Sequence, residues 1–473
     1  MYALGMRGIL DLAAYVPYWR LNRSEIRATF GSGGGKGTRA VASFDEDTTT
    51  IGTEAARLLG SVSPSSLWFA TVSPAYLDKT NATTIHAALR FDSDVTALDW
   101  GGSIRSGVGA LMTALRGNDP VLVVTADIRD GLPTSADESS GGDAAAAIMV
   151  GSDSEGPLLA EVLGMGSATE EFIDRWRLPG DRRSKVWEER FGETRYVPLG
   201  EEAWNAGLKD AGITAAEIDQ VIITSSHARS VRAISSRLGV EADKIALDYS
   251  ETIGYTGSAH AGLALTGLLE TVGAKKTIAL LSLADGADVL VLRTTDAITK
   301  RKPVRSVATQ IEARADVAYG KFLSWREWVT LEPPRRPEPG RISASISSRR
   351  EDWKYGFVGS RDRTSNAFHL PPARVSMKGG AVDDMDPAPM AAEIGTIATF
   401  TIDRIAYSPS PPIVFAVIDF EDGGRTAVEM CDVDAESLKM GDRVEMTFRR
   451  LFTSDGIHNY FWKARPVRDG VAK

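Results

Sequence analysis

The stretch Ala97–Leu111, ALDWGGSIRSGVGAL, joins a short β-prone run, a glycine-loosened turn and a helical pattern. A turn at a helix start suits a nucleophile, because backbone N–H groups and the helix dipole stabilise an anion there. Its apex carries Ile104, which can neither attack an acyl group nor ionise. A one-residue slip in register brings Ser103 or Arg105 to the apex, and a serine needs a base within hydrogen-bond reach. Ser103 and Ser106 also suit the turn and the helix cap. His227 follows the apolar run VIIT, where an imidazole can polarise a carbonyl, move a proton near neutral pH or simply cap a strand end. Tyr255, in IGYTG, brings a hydroxyl that can donate to an oxyanion or act as acid or base, or a ring that fills space. His260, five residues on, faces the same region or the back of a helix.

These residues must be positioned by a chain of 473 residues, 43% hydrophobic, long enough for two or three folded units. A formal charge of −9 and no long basic stripe speak against nucleic acid or an anionic membrane as partner and favour small ligands. No run reaches the roughly 18–20 apolar residues that span a bilayer. The start, MYALGMRGILDLAAYVPYWR, lacks a basic region followed by a clean apolar core, so a cytoplasmic location is expected. Cys431 is the single cysteine, which excludes an internal disulfide and a cysteine-based zinc site.

Up to residue 298, apolar runs such as PVLVVTAD, QVIITSS and TIALLSL alternate with helical patterns, the grammar of an α/β fold with buried sheets. Two halves, 1–165 and 166–298, follow a strand, helix, strand scheme that suggests a twofold repeat. In 299–350, RKPVRS and LEPPRRPEPGR dilute the apolar pattern and read as linker or excursion rather than core. Over 395–473, five short β runs separated by EDGG and TSDG turns read as an all-β barrel of the OB type.

KTNATTIHAALR, EEFIDRWRLPGDRRSKVWEERFGETRYVPLG, SSHARSVRAISSRLG and ETIGYTGSAHAGLALTGLLE, in this order, resemble the thiolase superfamily, most closely its HMG-CoA synthases of the archaeal and bacterial kind, which are ketoacyl synthase III-like. The resemblance implies a five-layered, duplicated α-β-α-β-α fold, followed by an OB-fold acyl-CoA-associated domain behind a zinc ribbon. It puts the family's catalytic cysteine on Ile104, its glutamate on Val72, its histidine on His227 and its oxyanion asparagine on Tyr255. Acyl-cysteine catalysis is then excluded, and ordinary HMG-CoA synthesis is disfavoured. The segment ESSGGDAAAAIMVG, with Asp143, reads as close packing, and Asp285 and Asp288 read as turn formers. In 351–394, GSRDRTSNAFHLPPARVSMKGG keeps the ribbon's frame around Pro371 and Pro372, with the ligand positions on Asp362, Ser365, Ser376 and Gly379. No thiolate remains there, so no metal is expected.

The leading expectation is an acyl-CoA-binding enzyme that makes or breaks a C–C bond without an acyl-cysteine, as an aldol or retro-aldol lyase on a 3-hydroxyacyl-CoA. Tyr255 or His260 would be its acid/base, and His227 with backbone N–H groups would stabilise the enolate. A condensing enzyme or acyltransferase using Ser103, and a non-catalytic CoA-binding scaffold for a partner thiolase, are the alternatives. Beyond the coenzyme A of the substrate no cofactor is expected. Expected partners are a second copy, through the thiolase-like domain, and a thiolase or other acyl-CoA enzyme, with no nucleic acid and no membrane.

Overall fold

The computed structural model describes residues 6–333 and 339–468. At its centre nine strands form one sheet in two halves. The first half runs Arg7–Tyr15, Ala144–Ser152, Val121–Asp127, Ser66–Ala70, Thr96–Trp100, and the second runs Ala160–Ala168, Ala287–Thr294, Thr277–Leu283, Gln220–Ser225. From the middle outward each half pairs antiparallel, antiparallel, then parallel. The halves join where Gly8 and Ile9 pair with Glu161 and Ala160. This shared pairing order is the duplication expected from the sequence.

Helices Arg105–Arg116 and His260–Leu269 lie between the halves, where Leu111, Leu115 and Leu265 pack with Val123, Ile148 and Leu280. Thr48–Arg57 and Ala82–Leu89 cover the outside of the first half, and Glu189–Ala211 and Ala228–Ser235 the outside of the second. Five α-β-α-β-α layers result. The start of Thr48–Arg57 is set by a capping box in which Asp47 accepts the Thr50 N–H and the Thr50 hydroxyl accepts the Asp47 N–H. The helix that follows the turn approaches residue 258 so closely that a Cβ on Gly107 would collide with the Ser258 carbonyl. Gly107→Ala is therefore expected to destabilise the protein by about 1–3 kcal/mol in a denaturant titration, despite alanine's better helix propensity.

The segment after residue 298 is more than a linker. Helices Val307–Glu312 and Tyr319–Trp325 form there, and Tyr319, Phe322 and Leu323 are buried against Leu21, Ile26 and Val41. Residues 334–338 of the proline-rich stretch lie outside the described residues.

Five antiparallel strands follow in the order Arg425–Glu429, Ile413–Phe420, Ile394–Asp403, Arg443–Ser454, Ile457–Pro466, and a bridge between Met430 and Ala464 closes the barrel around Val444, Phe448 and Trp462. The barrel is seated on the first half through buried charge. Arg449 is fully buried and meets Asp45 at 3.2 Å, Glu46 at 3.0 Å and Asp432 at 2.6 Å. Lys463 joins Asp45 to Glu429, and Arg465 joins Glu54 to Glu445.

Between helices and barrel, strands Val358–Asp362, Phe368–His369 and Met385–Pro389 form a small antiparallel sheet across the segment whose sequence resembles the ribbon. Asp362 accepts the Thr364 N–H and the Ser365 hydroxyl, each at 2.8 Å, while the Ser376 hydroxyl oxygen accepts the Lys378 N–H at 3.2 Å and Gly379 turns at φ 88°. The donors around Asp362, foremost the Ser376 and Ser365 hydroxyls, hold its carboxyl well below the usual carboxylate range. Among the described residues no three His, Cys, Asp or Glu side chains gather as a metal site. Chelators are expected to leave the melting temperature unchanged, whereas Asp362→Ala lowers it; a chelator-induced drop would reveal a bound metal.

Candidate active site

The turn at residues 101–104 is built by small residues. Strand Thr96–Trp100 ends, and Gly102 takes φ 98°, a region that costs a side chain strain. The Ser103 hydroxyl accepts the Arg105 N–H at 3.2 Å, and the Ser106 hydroxyl donates to the Gly101 carbonyl at 2.7 Å. Ile104 flanks the helix start and lines a cleft of about 660 Å³. Arg105 points the other way, gripping Asp288 through Nε at 2.7 Å and Nη2 at 3.0 Å and donating through Nη1 to the Asp285 carbonyl at 2.9 Å. Asp288 is thus an ion-pair partner that pins the turn to the neighbouring loop, while Asp285, at φ 47°, shapes that loop.

Val72 lines the same cleft, its N–H held by Asp127 at 2.8 Å. Both positions that the family resemblance reserves for nucleophile and carboxylate are therefore aliphatic and face the cleft.

His227 caps helix Ala228–Ser235: its Nδ1 accepts the Ser230 N–H at 3.1 Å, so in the neutral ring the proton sits on Nε2. The ring lies 6.0 Å from that of Tyr196, and Tyr196 and Ser226, rather than His227 itself, form the cleft wall. Tyr255 is buried at a side niche shared with Arg129, Asp137 and Arg175, and burial raises its hydroxyl above the ordinary tyrosine value. His260 stacks obliquely on Tyr255 with centroids 4.6 Å apart. Its Nδ1 accepts the Thr256 N–H at 3.3 Å, and its buried Nε2 has no hydrogen-bond partner among the described residues.

Burial pushes the His260 imidazole down to about 4. Because the unfolded chain binds this proton more readily, the contribution of neutral His260 to stability is full above about pH 6.5 and is lost as pH falls toward 4. The expected loss is roughly 3 kcal/mol, and His260→Gln should flatten that slope in pH-dependent denaturation.

The structure adds groups that the motif reading did not single out. Asp174 is buried, its carboxyl is raised by that burial, and Oδ1 has no hydrogen-bond partner among the described residues. The Tyr196 hydroxyl lies against this carboxyl and accepts the Asp285 N–H at 3.4 Å. Arg175 grips Asp137 through two bonds of 2.8 and 2.6 Å. The available signal was DRWR, three charges around one aromatic residue in a segment too short to bury them without partners.

Residues 208–291 match the family profile described as the 3-oxoacyl-[acyl-carrier-protein] synthase III C terminal, and residues 389–449 match the C-terminal OB-fold domain of ChsH2. With the topology above, the chain is a thiolase-like α/β domain followed by an OB-fold domain of that kind. It is HMG-CoA synthase-like in sequence. It is 27% identical over 335 residues to the hydroxymethylglutaryl-CoA synthase of Thermococcus gammatolerans, covering 67% of this chain and 95% of that protein. With the synthase of Methanopyrus kandleri the identity is 25% over 347 residues, 68% of this chain and 97% of that protein. Among solved structures, an HMG-CoA synthase complexed with CoA superposes with a TM-score of 0.60 at 16% identity, over 67% of this chain and 89% of that one. MvaS in complex with 3-hydroxy-3-methylglutaryl coenzyme A gives 0.58 at 19%, over 71% and 95%. These structural likenesses establish the fold. No helix among the described residues is long and apolar enough to cross a membrane.

Proposed function

We propose that this protein is a C–C lyase that binds a 3-hydroxyacyl-CoA and cleaves it by a retro-aldol reaction, acting in the cytoplasm with no cofactor beyond the coenzyme A of its substrate. The observation that carries this reading is the cleft itself: Ile104 and Val72 face it where covalent acyl transfer needs reactive groups, while Tyr196, backed by Asp174, supplies a proton-handling pair. The β-hydroxyl proton passes through the Tyr196 hydroxyl to the Asp174 carboxylate. The C2–C3 bond breaks, its electron pair moves into the thioester as an enolate, and C3 leaves as an aldehyde or ketone. Return of the proton to C2 gives the shortened acyl-CoA. The positive end of helix Arg105–Arg116 favours the enolate. Tyr255 and His260, both buried and with His260 neutral at pH 7, act as hydrogen-bond donors behind the niche rather than as bases.

A condensing reaction is the second reading, supported by the relatives named as hydroxymethylglutaryl-CoA synthases. It needs an activated Ser103, whose hydroxyl is instead engaged by the Arg105 N–H. In the third reading the chain is a non-catalytic CoA-binding scaffold for a thiolase or other acyl-CoA enzyme. Thr96–Trp100 is an open edge of the sheet with Leu98 exposed, and we propose that two copies pair there, which light scattering on a size-exclusion column checks.

Incubation with a panel of 3-hydroxyacyl-CoA thioesters, alone and with a candidate partner thiolase, tests these readings. Release of an aldehyde or ketone by the protein alone is the expected result. Thioester binding without carbonyl release overturns the lyase, and an acyl-protein mass adduct lost in Ser103→Ala would establish the condensing reading in its place.

A further inference from the structure

We infer that Arg129 reads a negative charge on the acyl group, so that the cleft selects thioesters whose acyl chain ends in a carboxylate; this deepens the acyl-CoA reading above and rests on it. Arg129 follows strand Val121–Asp127 and lines both the main cleft and a side niche of about 20 Å³, which share Arg129, Arg175 and Ser226 in their walls. Its backbone is fixed at both ends, the N–H donating to Asp143 at 2.9 Å and the carbonyl accepting from Arg39 at 2.8 Å. Its stem passes close over Gly141 and Gly257, where a Cβ at either glycine would press on it. The guanidinium, by contrast, has no hydrogen-bond or ion-pair partner among the described residues.

The nearby acids are already engaged. Asp137 takes both bonds of Arg175, Asp130 accepts from Trp328 Nε1 at 2.8 Å, and Asp127 accepts the Ser258 N–H at 2.7 Å and the Val72 N–H at 2.8 Å. Arg129 is thus left with a planar fork of donors in the wall of the main cleft, which has room for an acyl chain, at the point where that wall meets the niche beside Tyr255 and Ser226. Burial lowers its pKa, a guanidinium nevertheless stays charged in proteins, and this half-buried charge has no close partner among the described residues. A carboxylate matches the fork in charge and geometry.

Calorimetric titration of the full chain with glutaryl-CoA and pentanoyl-CoA, which share chain length and lack the 3-hydroxyl needed for cleavage, tests this. Glutaryl-CoA is expected to bind about tenfold more tightly or better, as a charge-assisted pair allows. Arg129→Gln should abolish the preference while leaving pentanoyl-CoA affinity within about twofold, and Arg129→Lys should keep part of it. Equal affinities in the wild type, or a preference that survives Arg129→Gln, overturn the inference while the acyl-CoA reading stands. If neither thioester binds, the acyl-CoA reading falls and this inference with it.

Discussion

Replacing Arg449 by alanine is expected to destabilise the protein by about 3–5 kcal/mol, because it strands buried carboxylates without their cation. Arg449 has no exposed surface, and Asp45, Glu46 and Asp432 all lie within 3.2 Å of its guanidinium. Burial already pushes the Glu46 carboxyl up to about 7, despite the attraction of Arg449 and with Asp432 and Asp45 adding repulsion. Without the arginine, Glu46 and its neighbours rise further and take up protons. The variant's deficit should therefore be largest at pH 7–8 and shrink as pH falls toward 5. Urea titrations at several pH values, with limited proteolysis at the junction before the barrel, measure both effects. A deficit below about 1 kcal/mol would mean that the network is solvated rather than buried.

Tyr196→Phe is expected to lower kcat by about a hundredfold or more, the usual contribution of a positioned proton-transfer group. Thioester affinity should change little, since the ring stays in the cleft wall. Asp174 sharpens the prediction, because its carboxyl is raised by burial and must be ionised to accept the proton. Activity should fall with pH through that raised value, and the acid limb should disappear, along with most of the rate, in Asp174→Asn. Unchanged kcat in Tyr196→Phe would assign the proton transfer elsewhere and leave Tyr196 a packing residue.

The architecture was legible because its signals are local. The barrel strands Ile394–Asp403, Ile413–Phe420 and Arg425–Glu429 show period-two alternation between turn residues, and the buried strands of the α/β domain are continuous apolar runs. Helix Tyr319–Trp325 was hidden because its apolar face is only Tyr319, Phe322, Leu323 and Trp325, flanked by prolines and charges that dominate any longer window. The site was legible only in part. Ile104 and Val72 could be placed by motif order, since each sits at a fixed offset from a recognisable helix. Asp174 and Tyr196 lie in the family-like EEFIDRWR…RYVPLG segment, but their contact with each other was not legible there, and Arg129, at a strand end, stands in no such motif; these groups come together only once the layers stack. Nor could the sequence show that the Arg129 guanidinium is unclaimed, for that depends on Arg175 having taken Asp137.

The barrel touches the wall of the cleft: the hydroxyl of Tyr76, a cleft-lining residue, accepts the His458 N–H of the barrel at 2.7 Å, with the two rings 4.9 Å apart. Because both sides of that contact are translated as one polypeptide, no dilution can separate them, and their ratio is fixed at synthesis. The support that the barrel gives to Tyr76 is then insensitive to protein concentration, whereas the same support borrowed from a separate subunit would be lost on dilution.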